Sequence, residues 1–134
     1  MKILNIAVFL AVTAFVVLPT TADAADQQEF LPYDELKALG EVEPLFGRRV
    51  TVCAGQSHSG WGLENVTTDF TRCGGSWDNL WQLIELNGAQ PGQRATLCAG
   101  SRVPAGWSVV ATHTDFTKCG RNQSFNNLKT IQKL

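Results

Sequence analysis

Residues 49–74 contain three segments, Arg49-Val-Thr-Val-Cys53-Ala-Gly55, Gly60-Trp61 and Thr68-Asp-Phe-Thr-Arg-Cys73-Gly74. They return within residues 94–120 as Arg94-Ala-Thr-Leu-Cys98-Ala-Gly100, Gly106-Trp107 and Thr114-Asp-Phe-Thr-Lys-Cys119-Gly120. One gap, opposite Pro104, aligns the two stretches with 13 of 26 pairs identical. Self-similarity at a fixed period of about 45 residues marks the duplication of one supersecondary unit. The match continues more weakly as Trp77-Asp-Asn-Leu80 against Phe125-Asn-Asn-Leu128. The chain therefore divides into a first copy, 48–88, and a second, 89–134, behind an N-terminal arm, 25–47, and a leading segment, 1–24.

Each copy carries two cysteines, 20 positions apart at Cys53 and Cys73 and 21 apart at Cys98 and Cys119. Four cysteines allow three pairings, which spacing does not resolve. Duplication of a unit with one pair makes Cys53–Cys73 and Cys98–Cys119 the expected bridges. In the chain-entropy picture each closes a loop worth about 3 kcal/mol. Zinc is the competing reading of four cysteines, but close C-x-x-C spacing is absent.

Val50–Cys53 and Leu97–Cys98 lie in strand-forming runs that end in Ala-Gly turns. Trp107-Ser-Val-Val-Ala-Thr-His-Thr114 is rich in β-branched residues and free of proline and glycine, so a strand is expected. Alternation would place Trp107, Val109, Ala111 and His113 on one face. Segments 77–86 and 125–134 repeat apolar residues at a spacing of three, and Ser76 and Ser124 could cap helices there, with Asn87-Gly88 ending the first; Thr130-Ile131 and the shortness of the segment favour strand. The fold class expected is a small all-β, disulfide-stapled protein of two tandem β units packed as one pseudo-symmetric domain, preceded by a short helical arm. Leu31-Pro-Tyr-Asp-Glu-Leu-Lys-Ala-Leu-Gly40 supplies that helix, with proline and acids in its first turn and a terminating glycine.

Residues 1–24 open with Lys2, run apolar from Ile3 to Leu18 and reach Ala22-Asp23-Ala24, the pattern of a secretory signal cut before Ala25. The apolar stretch is shorter than the roughly 20 residues a bilayer span needs, so no membrane span is expected after cleavage. The address expected is secreted or periplasmic, where disulfides persist. The formal net charge of −1 conceals an uneven distribution. Residues 26–43 hold six acids against Lys37, net −5, and residues 89–134 hold six cations against Asp115, net +5. The arm could lie over the second copy, or the second copy could present a basic surface to an anionic partner.

Catalytic readings find little support. His58 and His113 occupy non-equivalent positions, no G-x-S-x-G elbow is present, and the cysteines are expected to be oxidised. Asp69 and Asp115 are the carboxylates placed alike in both copies. Each lies just before a cysteine, where a short acid commonly bonds the turn backbone; calcium or ligand contact and acid–base work are the functional alternatives. Trp61 and Trp107 either form the core or offer an indole face to a sugar ring. Trp77 and Trp81 occur only in the first copy, so two sites, if present, would differ. The triplets at Asn65 and Asn122 match the glycosylation pattern. No phosphate loop, nucleic-acid motif, cofactor site or metal set is found.

The function expected is an exported, non-enzymatic binding module for an envelope or extracellular polymer, a glycan above all. The candidate ligand-binding residues are Trp61, Trp107, Asp69, Asp115 and Arg102. The alternative is an inhibitor or interaction protein directed at a secreted enzyme through the loops 56–60 and 101–106, which differ between the copies.

Overall fold

The computed structural model describes residues 29–30, 35, 37–38, 43–56 and 58–134. The signal segment expected over 1–24 lies outside these residues, as does the helix expected over 31–40 apart from Glu35, Lys37 and Ala38. The strands are β1 (Glu29–Phe30), β2 (Arg49–Cys53), β3 (Trp61–Thr67), β4 (Leu80–Glu85), β5 (Arg94–Cys98), β6 (Trp107–His113) and β7 (Leu128–Lys133), and one helical turn, α1 (Phe70–Cys73), follows β3. The fold is thus mostly β. Segments 77–86 and 125–134 supply β4 and β7, as the β-branched residues favoured.

Each copy builds a three-stranded antiparallel sheet with its last strand in the centre, in the orders β2-β4-β3 and β5-β7-β6. The two-residue β1 adds to the first sheet, parallel to β2. In both copies the chain leaves the outer strand, crosses to the far side of the sheet and re-enters at a Gly-Trp pair. Gly60 and Gly106 hold φ of +85° and +80° there. The peptide nitrogens of Leu86 and Leu134 donate to the carbonyls of Gly60 and Gly106 at 2.7 and 3.0 Å.

The same bulge recurs in both copies, between Leu63 and Asn65 in β3 and between Val109 and Ala111 in β6. An extra residue in one strand reverses the facing of all that follow. Ala111 and His113 therefore do not share a face with Trp107 and Val109 as simple alternation implied. His113 lies on the opposite side, with its Nε2 2.8 Å from the Thr130 hydroxyl.

Both expected disulfides form, Cys53–Cys73 and Cys98–Cys119. Each ties a strand end to the loop after β3 or β6, and a buried asparagine fills that loop. Asn79 accepts from the Asp69 amide (2.8 Å) and donates to the carbonyls of Asp69 (3.2 Å) and Gly74 (2.9 Å). Asn127 accepts from the Asp115 amide (2.8 Å) and donates to the carbonyls of Asp115 (2.7 Å) and Lys118 (3.2 Å). The preceding residues, Asp78 and Asn126, take φ of 55° and 56°. Aspartate and asparagine tolerate this left-handed conformation better than most residues.

Two apolar clusters hold the sheets. Val50, Val52, Trp61 and Leu83 form the first, on one face of the first sheet. Ile84 and Leu86 point the other way and join Ala95, Leu97, Trp107 and Ile131 of the second sheet. The two copies approach closely at Gly62, where a Cβ would stand 2.5 Å from a Leu97 methyl. The outer face of the second sheet is polar, with Arg94 donating to Gln132 and Thr96 beside Thr130.

Candidate functional site

A cleft of about 870 Å³ lies where the first sheet meets the crossover loop of the second copy. One side is built by His58, Ser59 and Gly60 of the first crossover and by Trp61, Leu63, Trp81 and Leu83, which share one sheet face. The other side is residues 100–105, including Arg102. The two loops that differ most between the copies thus stand in one composite cleft, not in two equivalent sites.

Local chemistry fixes both walls. Leu63 lies on the outer strand β3, and its amide donates to Ser101 Oγ at 3.0 Å, joining the sheet edge to the second loop. Lys129 Nζ donates to the carbonyl of Ala99 at 2.8 Å and to that of Ser101. Partial burial pushes the Lys129 pKa below its ordinary value. Lys129 holds the register position in β7 that Trp81 holds in β4. It is a strut for the cleft wall and not a free charge near the terminus. On the first wall the Trp61 amide closes a turn on the His58 carbonyl at 3.2 Å.

The cleft is apolar with a few polar groups, the usual character of a small-ligand site. Two of those groups, His58 Nε2 and Trp61 Nε1, are buried and have no hydrogen-bond partner among the described residues. Buried polar atoms are normally paired, so an exception calls for a physical explanation. His58 and Trp61 both line the cleft; Thr51 Oγ1, a third such atom among the described residues, lies outside its lining. Arg102 supplies the charge, and no carboxylate is among the described lining residues.

The expected ligand residues separate. Trp61 and Arg102 both line the cleft, and Trp61, 8% exposed, belongs to the first apolar cluster as well. Trp107 belongs to the core between the sheets, 8% exposed, with the Phe46 ring centroid 6.1 Å away. Lys133 Nζ stands 5.9 Å from the Trp107 ring centroid. Asp69 and Asp115 lie in the disulfide loops outside the cleft lining. Asp69 accepts the amides of Thr71 and Arg72 at 3.0 Å, and Asp115 accepts the Thr117 amide at 2.8 Å and its hydroxyl at 2.5 Å. The Thr117 hydroxyl and amide hold the Asp115 carboxyl below its usual range. Both aspartates bond their own turns, the structural one of the two readings.

The net +5 of the second copy is not one patch. Arg94 lies on the polar face, Arg102 in the cleft and Lys133 by Trp107, Lys129 of β7 is bonded to the carbonyls of Ala99 and Ser101, and Arg121 stacks on Trp77. Asn65 of the first glycosylation triplet is also engaged, its Oδ1 accepting the Cys119 amide at 3.0 Å. Sequence reading passed over Leu63, Leu83 and His58 as ligand contacts. Trp81 had a signal, since its aromatic ring stands against Lys129 in the weaker part of the repeat. Among the described residues no group of three or more His, Cys, Asp or Glu could hold a metal ion. No described helix is long and apolar enough to cross a membrane. Comparison with family models, curated proteins and solved structures finds no match for this chain.

Proposed function

We propose that this chain is an exported, non-enzymatic binding module in which the two copies act as one pseudo-symmetric unit. It takes an extracellular or envelope glycan into the cleft between the first sheet and the loop 100–105. The two disulfides suit an oxidising, extracellular or periplasmic setting. The reading rests on one observation, the unpartnered Trp61 Nε1 and His58 Nε2 beside the apolar surface of Leu63 and Trp81. Sugars present both complements: hydroxyl oxygens for buried donors, and C–H faces for aromatic and aliphatic surface. Arg102 adds a donor for a hydroxyl or an acidic sugar. Because the site is composite, one chain engages one stretch of polymer, and avidity from equivalent copies does not arise at this cleft.

A glycan array and a pulldown with envelope polymers test the reading. Trp81→Ala should weaken capture by about 1–3 kcal/mol, the range of an aromatic anchor, and Arg102→Gln should weaken it selectively for acidic sugars. Wild-type protein that captures no glycan removes the proposal. The inhibitor reading keeps one observation in its favour: the unlike loops 58–60 and 101–105 face each other across the cleft, as a single protein target would use them. Capture of a secreted enzyme, lost in the same two variants, would favour it.

A further inference from the structure

The two walls of the cleft differ in charge. The segments that supply its lining, residues 58–63, 81–83 and 100–105, contain Arg102 and no carboxylate. The carboxylates nearest to these segments along the chain are Glu64 and Glu85, and each has an arginine of its own. Glu64 accepts from Arg49 Nε at 2.7 Å and Nη2 at 2.9 Å, and Glu85 accepts from Arg48 Nε at 2.8 Å. Those two pairs cancel in charge. Arg102 forms no ion pair with a described carboxylate. Behind it, Lys129 Nζ donates to the carbonyls of Ala99 and Ser101, which carry no net charge to offset the ammonium. The asymmetry comes from divergence of the copies: Arg102 aligns with Ser57, and Lys129 with Trp81. The wall from the second copy is therefore cationic where the wall from the first is aromatic and neutral.

We infer that the cleft selects an acidic glycan, one carrying no more than a single negative charge per sugar, and that Arg102 determines this selectivity. The inference rests on the glycan reading of the cleft and adds the charge of the ligand to it. An acidic sugar has two unlike sides, a C–H face and an acid group, and the cleft has two unlike walls. Trp81 and Leu63 suit the C–H face, and Arg102 suits the acid. A guanidinium presents its N–H donors in a planar fork that matches paired acid oxygens, and bonds to an ionised group are roughly twice as strong as neutral ones. Lys129 is a positioning residue: it grips the backbone on the N-terminal side of Arg102 and adds its charge from beneath the loop. The low charge density follows from the rest of the lining. A densely charged polymer would bring further anions against Leu63, Trp81 and Val103, where nothing repays their lost hydration. Carboxylate and sulfate ester groups share the chemistry that Arg102 recognises.

The test is capture of matched polymers by the purified exported protein: polygalacturonate and alginate against their carboxyl-reduced forms, and lightly sulfated dextran against plain dextran, within a wider glycan array. An acidic member should bind about tenfold or more tightly than its neutral counterpart at low salt, the gain of one charge-assisted contact. Added salt should narrow that gap by screening. Arg102→Gln should bring the acidic polymer down to the affinity of its neutral counterpart and leave the neutral one unchanged, while Arg102→Lys should keep part of the preference. Arg102 is exposed, so neither change disturbs the core. Trp81→Ala should weaken the acidic and neutral forms by the same factor. Carboxylate and sulfate arms separate the two acid groups, and preference for either over its neutral match supports the inference. Equal capture of acidic and neutral forms overturns it and leaves the glycan reading standing; capture of no glycan on the array removes both. Acidic capture that persists unchanged in both Arg102→Gln and Trp81→Ala also overturns it, because the charge would then be read by cations outside the cleft.

Discussion

Replacing Asn127 by alanine strikes the element that both copies use to shape the disulfide loop. The side chain is 3% exposed and partners three backbone groups, the Asp115 amide and the carbonyls of Asp115 and Lys118. Alanine leaves all three without a side-chain partner. A buried group stripped of its partner costs about 1–3 kcal/mol, but the loop is at the surface and water reaches part of it, so the total expected is about 2–4 kcal/mol. The Cys98–Cys119 bridge holds the loop's ends and does not replace these bonds. Urea unfolding without reductant reads the effect as a lower midpoint at unchanged slope. Hydrogen exchange at the Asp115 amide should accelerate in parallel. Asn79→Ala should behave alike, because Asn79 holds the same three kinds of bond in the first copy. A loss below about 1 kcal/mol in both variants would refute the reasoning, since the loops would then be organised by the bridges alone.

Gly62→Ala should cost about 1–3 kcal/mol by overpacking, because the new methyl would stand 2.5 Å from a methyl of the fully buried Leu97. Ser108→Ala, at the equivalent place in the second copy, should be close to neutral in the same urea assay. Arg48→Ala strands the Glu85 carboxylate, whose side chain is 2% exposed and which accepts from Arg48 Nε at 2.8 Å. The expected loss in thermal unfolding is about 2–4 kcal/mol, below that of a wholly buried pair because Arg48 is partly solvated. Asp115 has a carboxyl pKa below 3.8 in the folded chain. Its contribution is therefore complete above that value and is lost as pH falls through the lower folded value. An NMR titration of the Thr117 amide should show its midpoint below 3.8; a midpoint at or above it contradicts the Asp115 contact.

The duplication made much of the fold legible. It paired the cysteines, placed the first strand of each copy and pointed to turn bonding by Asp69 and Asp115. The ambiguity of 77–86 has a physical cause. Leu83 and Ile84 are neighbours on β4 yet both are buried, because the first sheet packs Leu83 into one cluster and Ile84 into the other. A strand covered on both sides loses its alternation. The bulges at residues 64 and 110 carry no composition signal, so His113 was assigned to the wrong face. For the site, the repeat itself misled. Trp61 and Trp107 are equivalent in sequence, but Ile84 and Leu86 pack into the Trp107 cluster. Val103, which also lines the cleft, packs there, and its aligned counterpart in the first copy is the polar His58.

The most direct test of ligand binding in the cleft is the indole N–H resonance of Trp61 in isotope-labelled protein titrated with soluble glycan fragments. Trp61 Nε1 is buried and unpartnered among the described residues. A bound hydroxyl should give it an acceptor, moving the resonance downfield together with the amides of Leu63, Ser101 and Arg102. A glycan that binds while this resonance stays still, with shifts confined to residues 68–79 and 114–127, would contradict the assignment of the site.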